Sequence, residues 1–201
     1  MVRTILFLAI LALLLSCKNN NKGSQDSTKT GKSVDEEISN TVDNPESDEY
    51  SFLSEYPTKA LPFVDSTNFN NITKSKQLTD QQKGLLRLDK ILGENYSDIV
   101  QSLQINYRVN LSDNFSAIIM SYELGEHELL SKVINYDAHF KPIAWETIAY
   151  DEIAEGLVRK QSKIYKDSII VSRINYFDEV PDTTFTRFKI GKNGFIVNVD
   201  E

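Results

Sequence analysis

Two histidines, one cysteine and twenty-nine acidic residues are the side chains of this 201-residue chain most suited to chemistry. His127 stands between Glu126 and Glu128, and His139 lies two residues past Asp137. Both fall in stretches that read as turns. If those turns met, an imidazole and carboxylate set of the kind zinc accepts would result, yet the spacing matches no metal-ligand motif, and no metal is assigned. Glu123 and Glu146 lie in separate strand-like runs and would form a glycosidase-like pair if they faced each other. Charges on the solvent side of a sheet give the same spacing. Asp151-Glu152 with Glu155 makes an acidic turn without the regular spacing of a calcium loop. There is no Gly-x-Ser-x-Gly, no His-Glu-x-x-His and no glycine-rich phosphate loop. No catalytic residue and no cofactor is therefore assigned, and the chain is expected not to be an enzyme.

Aromatic side chains suggest binding instead. Tyr107, Tyr122, Tyr136, Trp145, Tyr150, Tyr165 and Tyr176 recur along the second half of the chain. On one concave face they would hold a lipid, a glycan or a partner strand; the plain alternative is that they form the core.

The elements that must position these residues follow from periodicity. Thr79 and Gln82 have the form of a capping box ahead of a helix over residues 80–92. Leu85, Leu88 and Leu92 supply its apolar stripe, and Gly93 is placed to end it. Beyond Gly93 the apolar period becomes two, as in a half-buried strand. Ile105, Tyr107, Val109 and Leu111 alternate with polar residues, and Ile118 to Leu124 repeat the pattern. Further strands are expected over 130–136, 143–150, 158–165, 169–177, 184–190 and 195–199. Lys192-Asn193-Gly194 signals a hairpin with a type I′ turn. Ile-Asn-Tyr occurs at Ile105, Ile134 and Ile174, placing two large apolar groups on one face and an amide on the other. The expected fold is mainly β (α+β). One N-terminal helix packs on an antiparallel meander of seven or eight strands, as an open barrel or strongly twisted sheet.

The net charge is −7. That balance argues against nucleic acid, whose backbone requires a basic face. Hydrophobic residues at 40% suffice for one packed core once the polar leader is set aside. Between Lys18 and Pro45 the only aliphatic residues are Val34, Ile38 and Val42, too few to offset the entropy of ordering.

The first seventeen residues carry a family resemblance. Arg3 precedes an apolar run from Ile5 to Leu15, which ends in Leu14-Leu15-Ser16-Cys17. The run is shorter than the roughly 20 residues that span a bilayer and suits a signal-peptide core. Its end resembles the lipobox of bacterial lipoproteins, with Leu15 where a smaller residue is usual. The resemblance implies cleavage between Ser16 and Cys17, acylation of the Cys17 thiol, and stable attachment through two or more chains. Loss of Arg3 then makes the chain one unit more acidic. Cys17 is the only cysteine, so no intramolecular disulfide forms. Lys18 in place of the aspartate that retains such proteins in the inner membrane implies the outer membrane. Asn19-Asn20-Asn21-Lys22 carry no acidic cluster of the kind some lineages use for surface export, which favours the periplasmic face, with the cell surface as the alternative. Asp26-Ser27-Thr28 and Asp65-Ser66-Thr67 resemble short O-glycosylation sites.

The expected domains are a cleaved signal peptide over 1–16, an acylated Cys17 with a disordered polar linker over 17–55, and a globular β-rich body over 56–201. The expected function is a membrane-anchored, non-catalytic binding or scaffolding lipoprotein. Its partners are the membrane, through the lipid, and an envelope protein, glycan or lipid. The ligand face would be Tyr107, Tyr122, Tyr136, Trp145, Tyr150 and Tyr176. A carrier of an apolar ligand in a curled sheet and a hydrolase with a carboxylate site are the alternatives.

Overall fold

The computed structural model describes residues 49–200. The signal segment, Ser16, Cys17, Asp26-Ser27-Thr28 and the leader up to residue 48 lie outside the described residues. None of the described helices is long and apolar enough to cross a membrane.

The body is mainly β, as the period-two runs require. Ten strands form one mixed, open sheet. They are β1 (Thr58–Lys59), β2 (Phe63–Asp65), β3 (Val100–Val109), β4 (Ser116–Leu124), β5 (Glu128–Tyr136), β6 (Pro142–Glu152), β7 (Val158–Ile164), β8 (Ser168–Asn175), β9 (Asp182–Ile190) and β10 (Ile196–Asn198). From β3 to β10 each strand pairs antiparallel with the next. β1 lies parallel to β3, and β2 lies antiparallel to β7, off the main path. Residues 58–65 therefore form a strap from the edge of β3 to β7.

The single helix expected over 80–92 is two, α1 (Asp80–Leu85) and α2 (Leu88–Leu92). The capping box forms, with the Gln82 N–H donating to Thr79 Oγ1 and the Thr79 N–H to Gln82 Oε1. The break falls at Arg87, whose φ is 51°. On an unbroken helix Leu86 and Leu88 would point to nearly opposite sides. With the break both become fully buried, alongside Ile91, so packing overrides the Leu85, Leu88, Leu92 stripe.

Two apolar layers sandwich the middle strands. One contains Leu86, Leu88 and Ile91 with Leu103, Ile105, Ile118, Met120, Ile134 and Tyr136. The turn Ser51–Glu55 joins it through Leu53, which is 6% exposed, so the folded body includes residues ahead of 56. The other layer joins Ile119 and Val133 to Ile148, Ile164, Ile169 and Val171. β4 and β5 thus meet β7 and β8 across a shared core, because the sheet rolls over on itself. β6 and β7 share only the pair Tyr150 and Lys160 where it turns.

A bulge at Asn106 divides the layers. Ile105 opposes Met120 and Tyr107 opposes Ile119, so Ile105 enters the helix-side layer and Tyr107 the other. The extra residue cancels the alternation that would put both on one face. In the second triplet Ile134 and Tyr136 do share a face, but Asn135 is fully buried and donates to the Gly194 carbonyl at 2.8 Å.

That carbonyl belongs to the hairpin between β9 and β10. Asn193 has no positive φ; Gly194 alone does, at 85°. The Gly194 N–H donates to the Gly191 carbonyl, and the Gly191 N–H to the Phe195 carbonyl. This is a type I turn closed by a glycine bulge, the three-residue solution, in place of the expected type I′ turn. A Cβ on Gly194 would lie 2.8 Å from Ile143 Cδ1.

Candidate functional site

The strap builds a hollow. Between it, the coil that follows β2, and the outer edge of β3 lies a space of about 550 Å³. Tyr107 forms its floor because the Asn106 bulge turns that ring away from the helices. Its hydroxyl donates to Asp65 Oδ2, while Asp65 Oδ1 accepts the Thr67 N–H at 2.9 Å. Asp65 is 3% exposed, a carboxylate whose burial is tolerable only because both oxygens have donors. Tyr107 is held firmly protonated, first by burial and then by the charge and hydrogen bond of Asp65. It is a donor here, not a base.

Lys59 lies over this floor. Its Nζ is 4.7 Å from the Tyr107 ring centre and 5.4 Å from that of Phe63. The two rings meet edge to face at 5.4 Å. Tyr56, Asn71, Thr73 and Lys76 complete the rim. Gln104 pins the coil to β3, accepting the Ser75 N–H at 3.0 Å and donating to the Thr73 carbonyl at 2.9 Å. From Gln104 a line of hydrogen bonds crosses the sheet. It donates to Asn106 Oδ1 at 3.2 Å, Asn106 donates to Ser121 Oγ at 2.6 Å, and Ser121 meets Ser131 at 2.6 Å. Such a line fixes the bulge and therefore the floor.

Two lysines, amides, hydroxyls and two tyrosine rings around a space of this size can hold a polar ligand with apolar faces. No protein-family model, curated protein or solved structure matches the chain.

The six aromatic residues expected to line one face do not share one. Tyr107 lies in the rolled-over layer, and Tyr122 and Tyr136 lie in the helix-side layer. The Tyr136 hydroxyl donates to the Leu86 carbonyl at 3.1 Å, tying the sheet to the helix break. Trp145 and Tyr150 stand opposite Ile134 and Leu130. Tyr176 is exposed just past β8. The bulge at Asn106 parts Tyr107 from the others. A second bulge in β6, where Ile148 intervenes between Thr147 and Ala149, instead brings Trp145 and Tyr150 to the helix-side face with Tyr122 and Tyr136.

Glu123 and Glu146 do not pair. Glu123 opposes Gln101 and Leu129, while Glu146 opposes Val133, four positions further along β5. Glu128 and Glu152 are the carboxylates that converge, directly opposite each other, and Tyr150 Oη lies 3.1 Å and 3.0 Å from them. A hydroxyl has one proton and satisfies one carboxylate at a time. Both neighbours, together with burial as the largest cause, raise the Tyr150 pKa.

His127 and His139 flank opposite ends of β5, nine residues long, roughly 30 Å apart at strand rise. Among the described residues no group of three or more His, Cys, Asp or Glu could hold a metal ion. His139 instead lines a wider cleft of about 1000 Å³ with Arg87, Arg108, Asp113, Asp137 and Lys141.

Sequence reasoning missed Asp65 and Lys59 as site residues. Asp65 stood out only in Asp65-Ser66-Thr67, whose aspartate is engaged with Tyr107 and whose Ser66 carbonyl accepts from Asn68 and Asn71. The one local signal was an acid closing the short apolar run Phe63-Val64.

Proposed function

We propose that this chain is a lipoprotein of the bacterial outer membrane, acylated at Cys17 and facing the periplasm. Its β body works by binding, without bond-breaking, and its binding site is the hollow over Tyr107. The ligand class is a glycan or a similar hydroxyl-bearing molecule of the envelope. Hydroxyls suit Asn71 and Thr67, a ring face suits Tyr56, and Lys59 and Lys76 suit an acidic substituent. The observation that carries the reading is Lys59 held over two aromatic rings beside a hollow floored by Tyr107, whose hydroxyl is fixed by the buried Asp65.

Two experiments test it. Intact mass of cell-derived protein should show loss of residues 1–16 and added acyl chains; an intact leader with an unmodified thiol refutes the anchor. Calorimetric titration of the full chain in detergent with soluble envelope oligosaccharides should show binding. Lys59→Ala should weaken it roughly tenfold or more, the worth of one charge-assisted hydrogen bond, with an unchanged melting temperature. Affinity equal to that of the unaltered chain refutes the site.

A further inference from the structure

The two edges of the sheet are treated differently. The β3 edge is covered by β1 and by the coil held through Gln104. At the other edge β10 covers only the last part of β9, from Phe188 to Ile190. The Val199 N–H reaches the Arg187 carbonyl at 2.9 Å, and the Arg187 N–H donates to Asp200 Oδ2 at 2.7 Å. Both groups of Arg187 therefore point away from β8. Strand alternation gives Phe185 and Thr183 the same direction. Among the described residues neither makes a backbone hydrogen bond on that side.

The open run, Asp182 to Thr186, consists of residues that favour strands at its centre, Thr183-Thr184-Phe185. It carries no charge between its ends, no bulge and no internal proline, the devices that usually protect an edge. Pro181 bounds it on one side and Val199 on the other. Phe185 is 61% exposed, and Val197 and Val199 beside it are 58% and 52% exposed. By register Phe185, Arg187, Lys189 and Val197 share the outward face.

We propose that this edge pairs with the same edge of a second copy of the chain, antiparallel, about a two-fold axis beside Thr184. The slot is self-complementary. Thr183 meets Phe185 of the second copy and the reverse, and each such pair exchanges two hydrogen bonds. All four open groups of each copy are then used. Thr184 faces its own copy in the closer, non-hydrogen-bonded position, and Asp182 faces Thr186. The two phenylalanines are diagonal neighbours on one face, within reach of each other. The contact is isologous and closes on itself, giving a dimer and not a filament.

The register is testable because the chain has one cysteine, Cys17. Directly opposite residues in this position lie about 4.5 Å apart at Cα, within disulfide reach. The full chain carrying Thr184→Cys, oxidised in membranes or detergent, should give several-fold more reducible dimer than the unaltered chain or Thr186→Cys. Phe185→Pro removes an N–H that points only to the open edge and spares the β8 ladder. Added to Thr184→Cys, it should abolish the cross-link while the melting temperature and far-ultraviolet dichroism hold. Equal cross-linking at 184 and 186 overturns the proposal. So does a dimer that survives Phe185→Pro, or a monomer that takes up extended peptides at this edge.

Discussion

The first half of the sheet and its second half are built from similar residues and treated oppositely by solvent. β4 is buried at six consecutive positions, Ala117 to Tyr122, because helices cover one face and the rolled-over strands the other. β9 is exposed at five of its first six positions. Ile, Val and Thr occur in both halves. What separates them is the number of layers each strand has to sit between, and strands enclosed on both sides lose the polar alternation that strands covered on one side keep.

The sharpest way to break this contrast is to delete apolar volume in the enclosed half. Ile134→Ala, at a residue 1% exposed, should cost about 2–5 kcal/mol by denaturant unfolding. A loss under about 1 kcal/mol would mean the helix-side layer is loosely packed.

Alkaline pH should also act on the enclosed half. Burial pushes Tyr122 up to about 12, against 10.0 for an unburied phenol, and burial likewise raises Tyr136 and Tyr107. The folded state keeps a proton that the unfolded chain gives up. Stability from this source is therefore complete below about pH 10 and is lost as the pH rises toward about 12. Unfolding followed across that interval should show a steep fall, and Tyr122→Phe should make it shallower. Identical curves would remove Tyr122 from the account.

A smaller effect is expected at the cap. Thr79→Ala removes the acceptor for the Gln82 N–H and should cost about 1 kcal/mol. The least is expected in the one-sided half. Phe185→Ser should change stability by no more than about 0.5 kcal/mol, read from the same denaturant midpoints. A larger loss in the dissociated protein would show that Phe185 packs within its own chain.

The seven longer strands, β3 to β9, were legible because alternation sustained over several residues suits a half-buried strand and little else. The three-residue β10 was marked by the Lys192-Asn193-Gly194 turn before it, and the capping box identified the start of α1. β1 and β2 were not legible; two and three residues leave no period to read. The bulge at Asn106 was invisible for a different reason. An extra residue leaves the apolar pattern of its own strand intact and is revealed only by the partner's register, so Ile105 and Tyr107 read as neighbours on one face. The helix break was hidden because Leu85, Leu88 and Leu92 form a good stripe, and only the sheet below prefers Leu86, Leu88 and Ile91. At the candidate site Tyr107 was among the residues expected to meet a ligand, but its companions were wrongly grouped with it. Asp65 is 42 positions away, and nothing local announces which phenol a distant acid will meet.

The strap sets an order of events for the newborn chain. Phe63, Val64 and Asp65 emerge early, yet their partners Ile164, Lys163 and Ser162 are about a hundred residues downstream. Until β7 is made, Asp65 has a carboxylate to hide and no roof to hide it under. Contacts of such long span slow assembly, so the floor of the hollow must be among the last parts to set. A chain released before residue 158 would keep the helices and β3 to β6 but have nothing for β2 to join.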